Sequence, residues 1–324
     1  MQSGWQGRHI GWRAALTALV AVLLLPALLH PGAALAAHRG GVVPPLYDRT
    51  YKCDQVERLP APPELVILGG SRAQRFDPDV VQRLTGLSAY NFAVQNSRPE
   101  DAYAMARYLF WRAPGVKLRC FWALQVTTLA DSPLHPGLLG EPRLTQFLPR
   151  GLVKSQQDLG LKAPNDGVQW FHEYSPRGQL LRNGYDLQLE RGIPFSATLQ
   201  TYLSRMVPRA AVDTPYGRTR AQAYFERTLE LFNLHGVTPV LVIMPYHPTV
   251  LQAFRAVGWQ EKADESKAFL ESLRSRYAFT LLDYTDIASF GGTADAFYDG
   301  AHVKAENATR ILEQAVKDAP GGFR

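Results

Sequence analysis

Short apolar runs alternate with amphipathic segments along most of the chain. Runs of this kind, ending at Gly, Pro or a polar residue, are typical of buried strands. The predicted strands are 64–68, 88–94, 118–126, 238–244 and 279–282. Apolar positions at helical spacing predict helices at 77–84, 99–110, 218–234, 261–277 and about 303–316. This alternation predicts a three-layer α/β/α fold with a mainly parallel sheet.

The pattern also divides the chain into segments. Residues 37–63 are rich in Pro, Gly and charge and are predicted to form a linker. Residues 64–318 carry the α/β pattern, which is interrupted at about 130–200 by many Pro and Gly residues. A stretch this long inside a compact domain is usually functional or has structure of its own. We therefore expect an insertion there, beside one edge of the site.

The first 36 residues have the layout of a secretory signal peptide. Arg8 and Arg13 precede the apolar stretch Ala14–Leu29, and Ala34–Ala36 fits a small-x-small cleavage site. The apolar stretch is short for a membrane span, which needs roughly 20 residues. An uncleaved signal anchor is the alternative. Both interpretations predict an exported protein, extracellular or in the cell envelope, and cleavage would start the mature chain near Ala37.

Composition narrows the function classes. The chain has 324 residues, of which 46% are hydrophobic, and a net charge of +6. This composition predicts a folded protein, and the absence of dense basic runs argues against a nucleic-acid partner. Cys53 and Cys120 could form a disulfide after export or remain buried thiols, and sequence leaves both open. The Cys and His spacing predicts no zinc site.

Candidate chemical groups follow the predicted strands. Ser71 follows the first strand, Gln125 ends the third, His247 follows the fourth, and Asp299 and His302 precede the last helix. In open parallel sheets, sites form at the carboxyl ends of the strands. We therefore expect these side chains to lie near one edge of the sheet.

Ser71 is held in the sequence Gly69-Gly70-Ser71-Arg72. Two glycines permit a sharp turn that exposes the serine, and a following helix start would offer backbone N–H groups to a developing oxyanion. The alternative is a serine that caps the turn. Asp299 and His302 strengthen the catalytic interpretation, because an Asp can orient a His that acts as general base toward a serine. The alternative for that pair is an ordinary polar turn.

Two segments resemble signature blocks of the SGNH (GDSL-like) hydrolases. Leu68–Arg72 resembles the first block, and Phe297–His302 resembles the last, Asp-x-x-His. The intervening order is also similar. It includes Tyr90-Asn91-Phe92, Pro99-Glu100-Asp101, Val242–Pro248 and Asp283-Tyr284. Similar runs occur in bacterial SGNH-like envelope proteins, including some linked to polysaccharide O-acetylation. The resemblance implies a flavodoxin-like SGNH fold, with Ser71 as nucleophile, His302 as base and Asp299 as its orienting carboxylate.

The second and third blocks depart from the family pattern. Asn96 stands where the family usually has an oxyanion-hole glycine, and Asn tolerates positive φ better than most residues. Gln125 stands where the family supplies an asparagine side chain, and its amide could donate an equivalent hydrogen bond. The alternative is that Gln125 only satisfies loop backbone.

Other polar and aromatic residues are candidates for substrate contact. Arg72 and His247 could bind substrate, although a salt-bridged arginine is the ordinary alternative. The aromatic residues Trp170, Phe171 and Tyr174 could form a sugar platform or the insertion's own core. The expected function is a serine-dependent ester hydrolase or O-acyltransferase acting on an acylated carbohydrate or lipid of the cell envelope. A non-catalytic carbohydrate-binding or envelope-assembly protein with the same fold is the alternative. No metal or organic cofactor is implied.

Overall fold

A computed structural model describes residues 48–130, 132–158, 178–180, 183–188, 194–211 and 219–324. The predicted leader 1–36 lies outside these residues, as do the first part of the predicted linker and the aromatic residues Trp170, Phe171 and Tyr174. Within the described part of the chain, no helix is both long enough and apolar enough to cross a membrane.

The core of the fold is a five-stranded sheet in which every pair of neighbouring strands is parallel. Its strands are β1 (Leu65–Leu68), β2 (Ala89–Asn91), β3 (Arg119–Leu124), β6 (Val240–Ile243) and β7 (Thr280–Asp283). They lie in the order β2-β1-β3-β6-β7, which is the flavodoxin-like order. The chain reverses direction across the sheet between β1 and β3. A ligand site is expected at that switch point.

Helices cover both faces of the sheet, which confirms the predicted three-layer α/β/α fold. The helices are α1 (Asp48–Glu57), α2 (Pro78–Thr85), α3 (Pro99–Arg112), α4 (Pro136–Leu139), α5 (Pro142–Thr145), α6 (Arg150–Asp158), α7 (Phe195–Ala211), α8 (Arg220–Leu234), α9 (Pro248–Arg255), α10 (Trp259–Ser272) and α11 (Ala305–Asp318). Successive residues of β1 point to opposite faces. Val66 and Leu68 pack with α3 and α8, while Leu65 and Ile67 pack with α2 and α11.

The predicted linker is wrong for residues 48–57, which form helix α1. Four buried residues recur at helical spacing along its inward side: Arg49, Lys52, Cys53 and Val56. Arg49 and Lys52 are charged, so the segment does not show the apolar stripe by which an amphipathic helix is recognised. Tertiary partners for those two charges decide the structure of this segment.

The described part of the insertion has structure of its own. Three short helices, α4 to α6, follow β3, and strands β4 (Gly178–Leu180) and β5 (Asp186–Gln188) form an antiparallel hairpin. The backbone N–H of Asn91 on edge strand β2 donates to the carbonyl of Asn183 at 2.9 Å. The insertion therefore satisfies part of an otherwise open sheet edge.

Cys53 and Cys120 are both free thiols, and both are buried in the same hydrophobic cluster. Burial raises the pKa of each thiol well above its usual value. Of the two interpretations left open by the sequence, the structure shows the pair of buried thiols. They act as small apolar core residues.

Candidate active site

Ser71 lies directly beyond the carboxyl end of β1, in a short 3₁₀ turn formed by Ser71–Ala73. Gly69 makes the turn possible. Its φ is 145°, and a side chain there would stand 2.8 Å from the carbonyl oxygen of Ala123 on β3. Glycine alone meets both conditions. The sequence predicted that a helix starts beside the serine. The structure has only a single 3₁₀ turn there, and the next α-helix begins at Pro78.

Asn91 fixes the turn that carries the serine. Its fully buried amide nitrogen donates to the carbonyls of Ala73 at 2.9 Å and Phe76 at 2.8 Å. Its side-chain oxygen accepts from the backbone N–H of Ala93 at 2.9 Å. The end of β2 therefore holds the segment that follows Ser71 against the sheet.

The structure brings Ser71, His302 and Asp299 together. Ser71 Oγ lies 2.9 Å from His302 Nε2, although the two residues are 231 positions apart. His302 Nδ1 lies 2.9 Å from Asp299 Oδ2. With the Nδ1 proton directed at the carboxylate, Nε2 is free to accept the serine proton. This is the geometry of an activated serine nucleophile.

Asp299 is well suited to orient the histidine. Burial acts to raise the pKa of its carboxyl group, but the adjacent His302 ring and its hydrogen bonds outweigh burial and hold that pKa well below the usual range. Asp299 Oδ1 also accepts from the backbone N–H groups of Ala301 at 2.8 Å and His302 at 2.9 Å. The carboxylate therefore stays ionised and fixed in place at neutral pH.

The loop that carries Asp299 and His302 is also held from outside. Thr198 Oγ1 on α7 donates to the carbonyl of Tyr298 at 2.9 Å. The Tyr202 ring, one turn further along α7, packs so closely on Gly300 that a side chain at Gly300 would clash with it. Sequence reasoning missed these contacts, because it predicted no helix over the residues that form α7.

The two candidate oxyanion donors would act through different groups. The Gln125 side chain is at the turn, since its Nε2 would lie 3.2 Å from a side-chain carbon added at Gly70. Asn96 has a φ of 48°, the left-handed conformation anticipated for a residue in a glycine's place. Its side chain is exposed, so the backbone N–H is its relevant donor. Gln125 is therefore the better placed side-chain donor.

The expectation that Arg72 binds substrate is not supported by its position. Arg72 is only 3% exposed, and its Nε donates to the carbonyl of Ala301 at 3.1 Å. Its Nη2 donates to the carbonyl of Pro245, and its guanidinium lies 4.3 Å from the centroid of the Tyr246 ring. The ordinary alternatives were a solvated arginine and a salt-bridged arginine. Arg72 is buried, and it forms no salt bridge with any residue that the structure describes.

His247 is likewise a structural residue. Its Nδ1 accepts from the backbone N–H of Thr249 at 3.2 Å and so caps α9. Its ring packs against Phe195 and Phe297, and burial lowers the pKa of the imidazole. A neutral capping histidine satisfies the start of the helix. His302, and not His247, is the histidine whose ring lies at the Ser71 hydroxyl.

A buried ionic cluster on α1, which sequence reasoning missed, holds the loop that carries Asn96. Arg49 Nε donates to Asp101 Oδ1 at 2.7 Å, and its Nη2 donates to the carbonyl of Gln95 at 3.1 Å. Asp48 Oδ2 accepts from the backbone N–H of Gln95 at 2.7 Å. Buried charges are normally paired, and here the pairing also fixes a loop at the edge of the site.

Within the described residues, no group of three or more His, Cys, Asp or Glu side chains is arranged to hold a metal ion. Comparison with known proteins identifies no relative, because neither a protein-family model nor a curated protein matches the chain. The geometry at the edge of the sheet is therefore the basis for a proposed function.

Proposed function

We propose that this chain is a serine-dependent ester hydrolase or O-acyltransferase of the kind found among SGNH hydrolases. The observation that carries the proposal is the hydrogen-bonded array of Ser71, His302 and Asp299 at the switch point of the sheet. A serine that only capped its turn would not need an imidazole at its hydroxyl oxygen. Nor would that imidazole need a carboxylate at its other nitrogen.

The array supports a two-step acyl transfer. Ser71 Oγ attacks the acyl carbonyl carbon while His302 Nε2 takes the hydroxyl proton. His302 then gives that proton to the departing alkoxide, which leaves an acyl-serine. Water or an acceptor hydroxyl attacks this ester, with His302 again as base, and restores Ser71. In both tetrahedral intermediates, we propose that the side-chain amide of Gln125, which lies beside Gly70, donates to the oxyanion.

The proposed substrate is an acylated carbohydrate or lipid of the cell envelope. The leader pattern of residues 1–36 supports an exported protein, and the resemblance to SGNH-like envelope proteins supports this substrate class. The same array serves hydrolysis or transfer, since the two differ only in the hydroxyl that attacks the acyl-serine.

A fluorophosphonate probe tests the proposed function directly. Ser71 Oγ should displace fluoride from phosphorus, and mass spectrometry should find the adduct on Ser71. Ser71→Ala should not label, and Ser289→Ala, which removes an exposed serine elsewhere, should label like the wild type. No labelling, together with no turnover of acyl esters of several lengths or of an acetylated sugar, would favour the non-catalytic binding protein.

Gln125→Ala should lower kcat by about 10²–10³-fold with little change in KM, because it removes a donor that acts on the oxyanion. Steady-state kinetics on a short acyl ester measure this. The matched control is Thr128→Val, since the Thr128 hydroxyl accepts from the backbone N–H of Gln125 at 2.9 Å and supports the same loop. If Gln125 only supports the loop, both variants should lower the melting temperature and neither should lower kcat selectively.

A further inference from the structure

Arg72, the residue next to the candidate nucleophile, is a buried cation with an unusual set of partners. Its side chain is almost fully buried, yet within the described residues no carboxylate pairs with it. Its partners are the carbonyl oxygens of Ala301 and Pro245 and the face of the Tyr246 ring. Burying an arginine without a counter-ion is costly, so stability alone does not account for this arrangement.

The two carbonyls belong to the two loops that must meet the serine turn. Ala301 is the residue before His302, and Pro245 follows the end of β6. These loops are also joined to each other, since the backbone N–H of His247 donates to the carbonyl of Gly300 at 3.0 Å. Arg72 therefore connects the turn that holds Ser71 with both loops at once.

The guanidinium group is needed for this connection. Its planar fork presents several N–H donors in fixed directions, so one side chain can donate to two carbonyls on different loops. A lysine carries one small ammonium group at the end of a flexible chain and cannot reproduce that fork. Arg72 Nη1 is buried with no hydrogen-bond partner among the described residues, so the arrangement is not optimised for stability.

We propose that Arg72 is a positioning residue that fixes the distance between Ser71 Oγ and His302 Nε2. This proposal rests on the proposed function of the same site. The physical reason is that Ser71 and His302 come from opposite ends of the chain, and Arg72 ties the two segments together one residue from each of them. A small displacement of the imidazole lowers the rate of proton transfer without changing the groups that bind substrate.

The test compares Arg72→Lys with the wild-type protein, both expressed from the full-length sequence. We expect kcat on a short acyl ester to fall about 10–100-fold while KM stays unchanged, as for a catalytic group displaced by about 1 Å. The second readout is a far-downfield signal in the proton NMR spectrum. It is expected from the proton in the hydrogen bond between His302 Nδ1 and Asp299, and its loss in Asp299→Asn identifies it. In Arg72→Lys this resonance should broaden or disappear.

Arg143→Lys is the matched control. Arg143 is a partly buried arginine hydrogen-bonded to Asp54, Glu57 and Glu141, none of which belongs to the loops that Arg72 connects. It should keep both the kcat and the resonance. If Arg72→Lys fails to fold, Arg72→Gln, which removes the buried charge, is used in its place. The same decrease in kcat and the same loss of the resonance are expected for Arg72→Gln. An unchanged resonance with unchanged kcat, or a raised KM with an unchanged resonance, would overturn the positioning role. Because the resonance is observed without turnover, it tests Arg72 even if the wild type proves to have no esterase activity.

Discussion

Ser71→Ala and His302→Ala should each lower kcat for a short acyl ester by about 10⁶-fold, the scale seen when a member of a serine–histidine pair is lost. In the proposed mechanism the serine supplies the bond-forming oxygen and the histidine removes its proton, so neither acts without the other. The double variant should therefore be no slower than either single variant. Steady-state kinetics of the three variants, with circular dichroism to confirm folding, measure this result.

His235→Ala is the control for the histidine substitution. His235 is exposed and stacks on Phe110, with ring centroids 3.8 Å apart, outside the site. It should keep wild-type activity. Asp299→Ala should be milder than the other two substitutions, because Asp299 orients and stabilises the imidazole without forming a bond to substrate. Losses from Ser71→Ala and His302→Ala that multiply in the double variant would contradict a single catalytic unit.

Arg49→Met should lower the free energy of unfolding by about 3–5 kcal/mol, which is the cost of leaving buried carboxylates without their cation. Arg49 and Asp101 are both fully buried, and Arg49 also donates to Asp48 at 3.1 Å. The methionine fills similar volume but leaves two carboxylates unpaired. Urea denaturation monitored by tryptophan fluorescence measures the change.

Arg274→Met provides the comparison. Arg274 pairs with Glu271 on an exposed surface, where an ion pair is worth about 0–1 kcal/mol, so this variant should be almost as stable as the wild type. A loss of less than about 1 kcal/mol in Arg49→Met would show that α1 is held by its apolar contacts and not by the ionic cluster.

The elements of the α/β domain could be predicted well because their signals are local. Strand β1 is a run of apolar residues bounded by turn residues, and α2 is capped by Asp77, whose side chain accepts from the backbone N–H of Asp79 at 2.9 Å. Both features depend on residues adjacent in sequence. By contrast, α1 has two charged residues on its buried side, so hydrophobic periodicity could not identify it.

Local sequence patterns were enough to identify the residues that the site could use. Glycines before Ser71 and the Asp-x-x-His spacing are local patterns, and they specified the three side chains that the fold brings together. The three-dimensional structure was needed to show what Arg72 and His247 contact, that Cys53 and Cys120 are free thiols, and how α1 holds the edge of the site. The structure was needed because these partners are distant along the chain, as for Arg72 and Ala301, which are 229 positions apart. Such contacts depend on the packing of the whole sheet and its helices, which no local pattern records.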